Sequence, residues 1–166
     1  MTKQELNVIK FEMRHNGVFD LDKLYKVMRK WYKDRKYLFQ ESVHKFKPPE
    51  LELDWSGTRK ETGYRQALIE MKFHSWYHKE VKVKEGEKEK NMVDARVQII
   101  LSATMVYDYA ERFNTPFLAF LEKFLKKFVL FYYIIIVWPD RLHYELVDFQ
   151  NKIKESLEST TEKGAY

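Results

Sequence analysis

The clearest pattern in the chain runs from Val93 to Tyr107. Val93, Ala95, Val97, Ile99, Leu101, Ala103, Met105 and Tyr107 alternate there with mostly polar neighbours. Period-two alternation puts these side chains on one face of a strand, and their β-branched content favours the extended chain. This strand is read as the centre of an antiparallel sheet. Ahead of it, Ala67, Ile69, Met71 and Phe73 mark the buried face of a second long strand reaching about Tyr77. Val81 and Val83 either continue it or begin another. The charged stretch 80–90 between the two reads as a hairpin tip. Matched alternation predicts that Ala67–Phe73 pairs with Val93–Met105, with the odd-numbered residues of both facing the helices.

Leu6 to His15 also alternates, and Asn16-Gly17 predicts a turn after it. Asp20 is placed to cap a helix from Leu21 to about Lys36, with Leu24, Met28 and Trp31/Tyr32 as its apolar stripe. Tyr37 to Phe46 is aromatic-rich and read as a strand, interrupted by Pro48-Pro49. Glu50 to Trp55 alternates strictly, and Ser56 to Gly63 reads as a loop.

Thr115-Pro116 then starts a helix, with Thr as cap and Pro at the first helical position. Phe117, Leu121, Phe124, Leu125 and Phe128 give it a wide apolar face, expected to cover the sheet as core. No breaker occurs before Pro139. The helix is therefore expected to run to Trp138, although 131–138 also has strong β propensity. A last helix should bury Leu142, Leu146, Phe149, Ile153 and Leu157.

Strands grouped ahead of helices predict an α+β domain. The expectation is an antiparallel sheet of about 4–6 strands, with one N-terminal and two C-terminal helices packed on one face. The domain spans 1–158, with a flexible tail at 159–166. The order is loosely similar to that of helix-grip ligand-binding domains but lacks their glycine-rich loop. No family membership follows from it.

Composition narrows the function. The 166 residues are 45% hydrophobic and 16% aromatic, enough for a sizeable core. There is no cysteine, which excludes disulfides, thiolate metal sites and a thiol nucleophile, and fits a reducing, cytoplasmic setting. The apolar run Phe128 to Trp138 would span only about 16 Å as a helix, too short to cross a bilayer of roughly 30 Å. The net charge of +5 sits at the front: residues 1–49 hold 12 Lys+Arg against 6 Asp+Glu.

Phosphate-binding glycine loops and nucleophile elbows are absent, so no cofactor is expected. His74 and His78 have the spacing of a helical zinc pair. On a strand, however, four residues span roughly 13 Å, and no metal site is expected there. Glu50, Glu52 and Asp54 read as a solvated strand face rather than a metal-binding row. Asp108 and Glu111, with Tyr107 and Tyr109 nearby, sit at the end of the longest strand, a position that suits a general acid. Ordinary ion pairing accounts for it as well.

Two features point to binding. Lys23, Lys26, Arg29, Lys30, Lys33 and Lys36 make the helix 20–36 a candidate nucleic-acid surface, with Trp31 or Tyr37 to stack on a base. The aromatic density of 115–138 suits a protein partner, a homo-oligomer, a membrane surface or a hydrophobic ligand, with Phe117, Phe120, Phe124, Tyr107 and Tyr109 as its contact residues. Taken together the balance is against catalysis. It favours an interaction or hydrophobic-ligand-binding domain, with nucleic-acid binding second and an enzyme at Asp108 third.

Overall fold

The computed structural model describes residues 4–85 and 88–161. Five antiparallel strands form one sheet: β1 (Gln4–Phe19), β2 (Leu38–Lys47), β3 (Glu50–Lys60), β4 (Arg65–Glu85) and β5 (Lys88–Tyr107). Their order across the sheet is β1-β5-β4-β3-β2. Helix α1 (Leu21–Asp34) joins β1 to β2. After β5 come α2 (Pro116–Phe128), a π-helical turn (Tyr133–Val137) and α3 (Trp138–Thr161). The fold is α+β, as the grouping of strands before helices predicts.

Alternation sets the pairing. β4 and β5 align Phe73 with Ile99 and Ile69 with Ala103, so the odd-numbered residues of both strands share one buried face. A one-residue slip would turn that whole set to solvent. The middle strand is β4 rather than β5, because β1 pairs along the other edge of β5.

Several boundaries differ from the sequence expectation. Asn16-Gly17 does not end β1: Gly17 takes a φ of 134°, open to glycine, and the strand continues until Phe19 lies opposite Val93. β3 runs through the expected loop to Lys60. Its Gly57 lies against the Tyr32 ring, where any Cβ would collide. β4 continues past Tyr77 by a bulge, in which Tyr77 and His78 together oppose Ala95. The centre of the charged hairpin tip lies outside the described residues. So does the expected tail from 162 on; α3 itself continues through Thr161.

One face of the sheet carries the core. The Asp20 carboxylate starts α1 by accepting from the Lys23 N–H (2.9 Å) and pairing with Lys90 (2.7 Å). α1 then buries Leu24, Met28, Trp31 and Tyr32. α3 buries Leu142, Leu146, Phe149, Ile153 and Leu157, as its stripe predicts. Trp31 stacks on Phe149 with ring centroids 4.2 Å apart, and Tyr32 meets Phe149 edge-on at 5.4 Å. Between helices and sheet the space is thus taken by Trp31, Tyr32, Trp55, Phe73 and Phe149.

Candidate docking surface

α2 begins as its sequence predicts. The Thr115 hydroxyl accepts from the Leu118 N–H (3.3 Å), and Pro116 occupies the first turn, where its missing N–H costs nothing. The helical path persists through 131–138, so that stretch is not a strand, but it is not one straight helix. α2 closes at Phe128, and a wide turn follows in which the Trp138 N–H reaches back five residues to the Tyr133 carbonyl. Pro139 has no N–H to donate, and the π turn falls just ahead of it.

The orientation of α2 reverses the expectation that it covers the sheet as core. Its buried side chain is Glu122, only 4% exposed, whereas Phe117 is 73%, Phe120 67%, Phe124 47% and Phe128 65% exposed. At 3.6 residues per turn these four rings form a single row. The Glu122 carboxylate accepts from the Tyr64 hydroxyl (2.8 Å) and pairs with Lys126 (2.6 Å), which also donates to Gln4 (2.7 Å). Burial, and then the Glu122 carboxylate, push the Tyr64 phenol up, which keeps its proton available as a donor.

The physical reason is twofold. α1 and α3 already cover the helix-facing side of the sheet. What remains for α2 at the sheet end is a polar anchor of Tyr64 and Gln4, which selects the Glu122/Lys126 side. Periodicity reveals a stripe but not which side of it meets the body.

The π turn continues the apolar surface. On its inner side the Ile134 carbonyl accepts from the Tyr107 hydroxyl (3.1 Å), and the Trp138 ring lies 4.2 Å from the Arg65 guanidinium carbon. Outward, Phe131, Tyr132, Tyr133, Ile135, Ile136 and Val137 are exposed. Of sixteen exposed large hydrophobic residues among those described, eleven fall between Phe117 and Val137, so apolar exposure concentrates in this stretch. Tyr132, Ile136 and Val137 line a groove shared with Asp140, Arg141 and Glu145.

Near the start of α3 lies a part-buried ionic network. Arg59 pairs with Glu61 (2.6 Å) and Glu145 (2.9 Å), Arg65 pairs with Glu61 (2.9 Å), and the Tyr37 hydroxyl donates to Glu145 (2.9 Å). It ties the ends of β3 and β4 to the first half of α3.

The structure divides the sequence-nominated residues. Phe117, Phe120 and Phe124 belong to the patch. Tyr107 is buried beneath it, and the Tyr109 hydroxyl donates to the Thr62 carbonyl (3.2 Å). Sequence reasoning named the segment and placed Phe128 on its covered face, but did not single out Phe131, Tyr132 or Ile136. The signal was there in the uncharged run Phe128 to Trp138.

Asp108 is buried at a φ of 49°, and its carboxylate accepts from the N–H groups of Arg112 (2.8 Å) and Phe113 (3.4 Å). Those oxygens cap a turn. On α1, Lys23, Lys26, Arg29, Lys30 and Lys33 are exposed, with Lys36 just past the helix end. Lys23 and Lys30 line an open groove of about 700 Å³ between α1 and α3 that also holds Asp34, Asp148 and Glu155. The rings proposed to stack on a base are not available. Trp31 is buried and donates to Asp148 (2.9 Å), and Tyr37 is buried on Glu145.

His74 and His78 sit on one strand, the His78 ring against Phe46 (5.2 Å). Instead His74 lies across from Glu52, its Nε2 3.5 Å from Glu50 and 3.9 Å from Glu52. Lys45 and Lys47 stand opposite the same two glutamates on β2, which balances their charge.

No family model and no curated protein matches the chain. Among solved structures it is similar to an uncharacterized protein from Rhizobium leguminosarum, at 5% identity over 93% of this chain and 99% of that one, with a TM-score of 0.23. A likeness of that size carries no conclusion about fold or function.

Proposed function

We propose that this chain is a non-catalytic interaction domain that docks through the aromatic face of α2 and the π turn. The inversion of α2 carries this reading. Fully burying a Phe side chain stabilises by roughly 1.5–3 kcal/mol, so a row of four exposed rings forgoes a large stabilisation unless a partner supplies it. Contiguous apolar patches beyond a few hundred Å² are rare on proteins that meet only water.

The rival readings have less support. Against the hydrophobic-ligand alternative, aromatic side chains pack the layer between helices and sheet. Nucleic-acid binding retains the exposed bases of α1 but loses its stacking rings. For catalysis at Asp108, the carboxylate is already engaged by two backbone amides.

The test is an apolar fluorescent dye with the wild type and with a variant carrying Phe117→Ser, Phe120→Ser, Phe124→Ser and Phe128→Ser. Ser and Phe have similar helix propensity, so α2 itself is preserved. The wild type is expected to enhance the dye's emission, and the variant to lose most of that signal. Stability should change by no more than about 0.5 kcal/mol per site. Unchanged dye binding, or loss of the fold in the variant, would contradict the reading.

A further inference from the structure

We infer that the occupant of this face is the interfacial zone of an anionic lipid bilayer, with α2 and the π turn lying in the plane of the membrane. The inference rests on the docking reading above and adds the partner's chemistry. Charge is the first observation. Between Glu111 and Asp140 the sequence holds one acid, Glu122, and that carboxylate is buried and paired with Lys126. Lys123 and Lys127 are exposed beside the Phe row. The outward side of α2 therefore presents aromatic rings and cations, with no carboxylate between them.

A second copy of this chain would bring the same lysines with no acid on the face to meet them. A bilayer with anionic headgroups meets both halves of the surface: rings enter the acyl boundary while lysine stems extend to the phosphates.

Shape is the second observation. The four rings run along the side of a 13-residue helix whose opposite side is tied to the body by Glu122, Lys126 and Tyr64. That is the geometry of shallow, parallel insertion of roughly 5–10 Å rather than of crossing. No helix among the described residues is long and apolar enough to cross a membrane. Tyr132 and Tyr133 extend the face with rings that carry a hydroxyl, a residue type suited to the headgroup level.

Flotation of the full chain with vesicles tests this, using phosphatidylcholine alone and phosphatidylcholine mixed with phosphatidylglycerol, each at low and high salt. The wild type should float with the mixed vesicles at low salt and far less with the neutral ones. A variant with Lys123→Glu and Lys127→Glu should bind the mixed vesicles about tenfold or more weakly, a gap that narrows as salt rises. The four-Phe variant should not float at all.

Equal binding to neutral and mixed vesicles, or binding indifferent to the Lys substitutions, overturns the inference. If the wild type floats with neither vesicle yet binds the apolar dye, and sedimentation shows a concentration-dependent dimer that the four-Phe variant lacks, the occupant is a second copy. The inference then falls while the docking reading stands. If dye binding fails as well, the docking reading falls with it.

Discussion

Phe149→Ala is expected to destabilise the fold by about 3–5 kcal/mol, whereas Phe124→Ala should change it by no more than about 0.5 kcal/mol. Both are phenylalanines on the apolar stripe of a C-terminal helix, and composition cannot tell them apart. Phe149 is 0% exposed, stacked on Trp31 and edge-on to Tyr32, so its removal opens a cavity walled by rigid rings. Phe124 has solvent on one side, and its ring neighbour is Phe128, at 4.9 Å and itself exposed. Urea unfolding at constant m-value measures both changes. A cost for Phe124→Ala close to that for Phe149→Ala would mean that α2 packs as core after all.

Glu145→Ala is expected to cost about 1–3 kcal/mol, because removing one partner of a part-buried ionic network leaves the others short of a hydrogen-bond partner. The network holds two arginines and two glutamates. Without Glu145, Arg59 keeps the Arg35 carbonyl and Glu61, which already serves Arg65, and the Tyr37 hydroxyl loses its acceptor. Burial works against the charge on Arg59, but its hydrogen bonds to Glu145 and Glu61 more than offset that and hold its pKa above the usual value. Burial, and then the Glu145 charge, push the Tyr37 phenol up, so that it remains a donor. Pairing Glu145→Leu with Arg59→Met should recover part of the loss, since an apolar pair leaves no lone charge in that site. A double-mutant cycle reads the coupling, and additive losses would argue against a shared network.

Most of the fold was legible because each strand has one buried face. Ile69, Phe73, Ile99 and Leu101 announce the pairing of β4 with β5 through parity alone, and Leu142, Leu146 and Phe149 announce α3 through helical spacing. Strand ends were less legible. Asn16-Gly17 looks like a stop, yet pairing with β5 holds Gly17 in the ladder. Ser56 to Lys60 looks like a loop, yet Gly57 is needed for the approach of Tyr32.

The candidate site was legible as a segment and illegible as a surface. The Phe row and the 131–138 run stand out in the sequence, but their direction depends on Tyr64 and Gln4, which lie 58 and 122 residues away from Glu122 and Lys126 respectively. The basic helix shows the converse. Its lysines are where spacing put them, while Trp31 and Tyr37 went to the core through contacts with α3.

The Phe row of α2 faces outward and Glu122 faces in. Because the chain has no cysteine, single cysteines report on this without background. Thiol labelling under native conditions should be fast for Phe120→Cys and Phe124→Cys and slow for Leu146→Cys, which sits in the core. Phe120→Cys and Phe124→Cys reacting as slowly as Leu146→Cys, while Glu122→Cys reacts fast, would show the helix turned the other way and contradict the account.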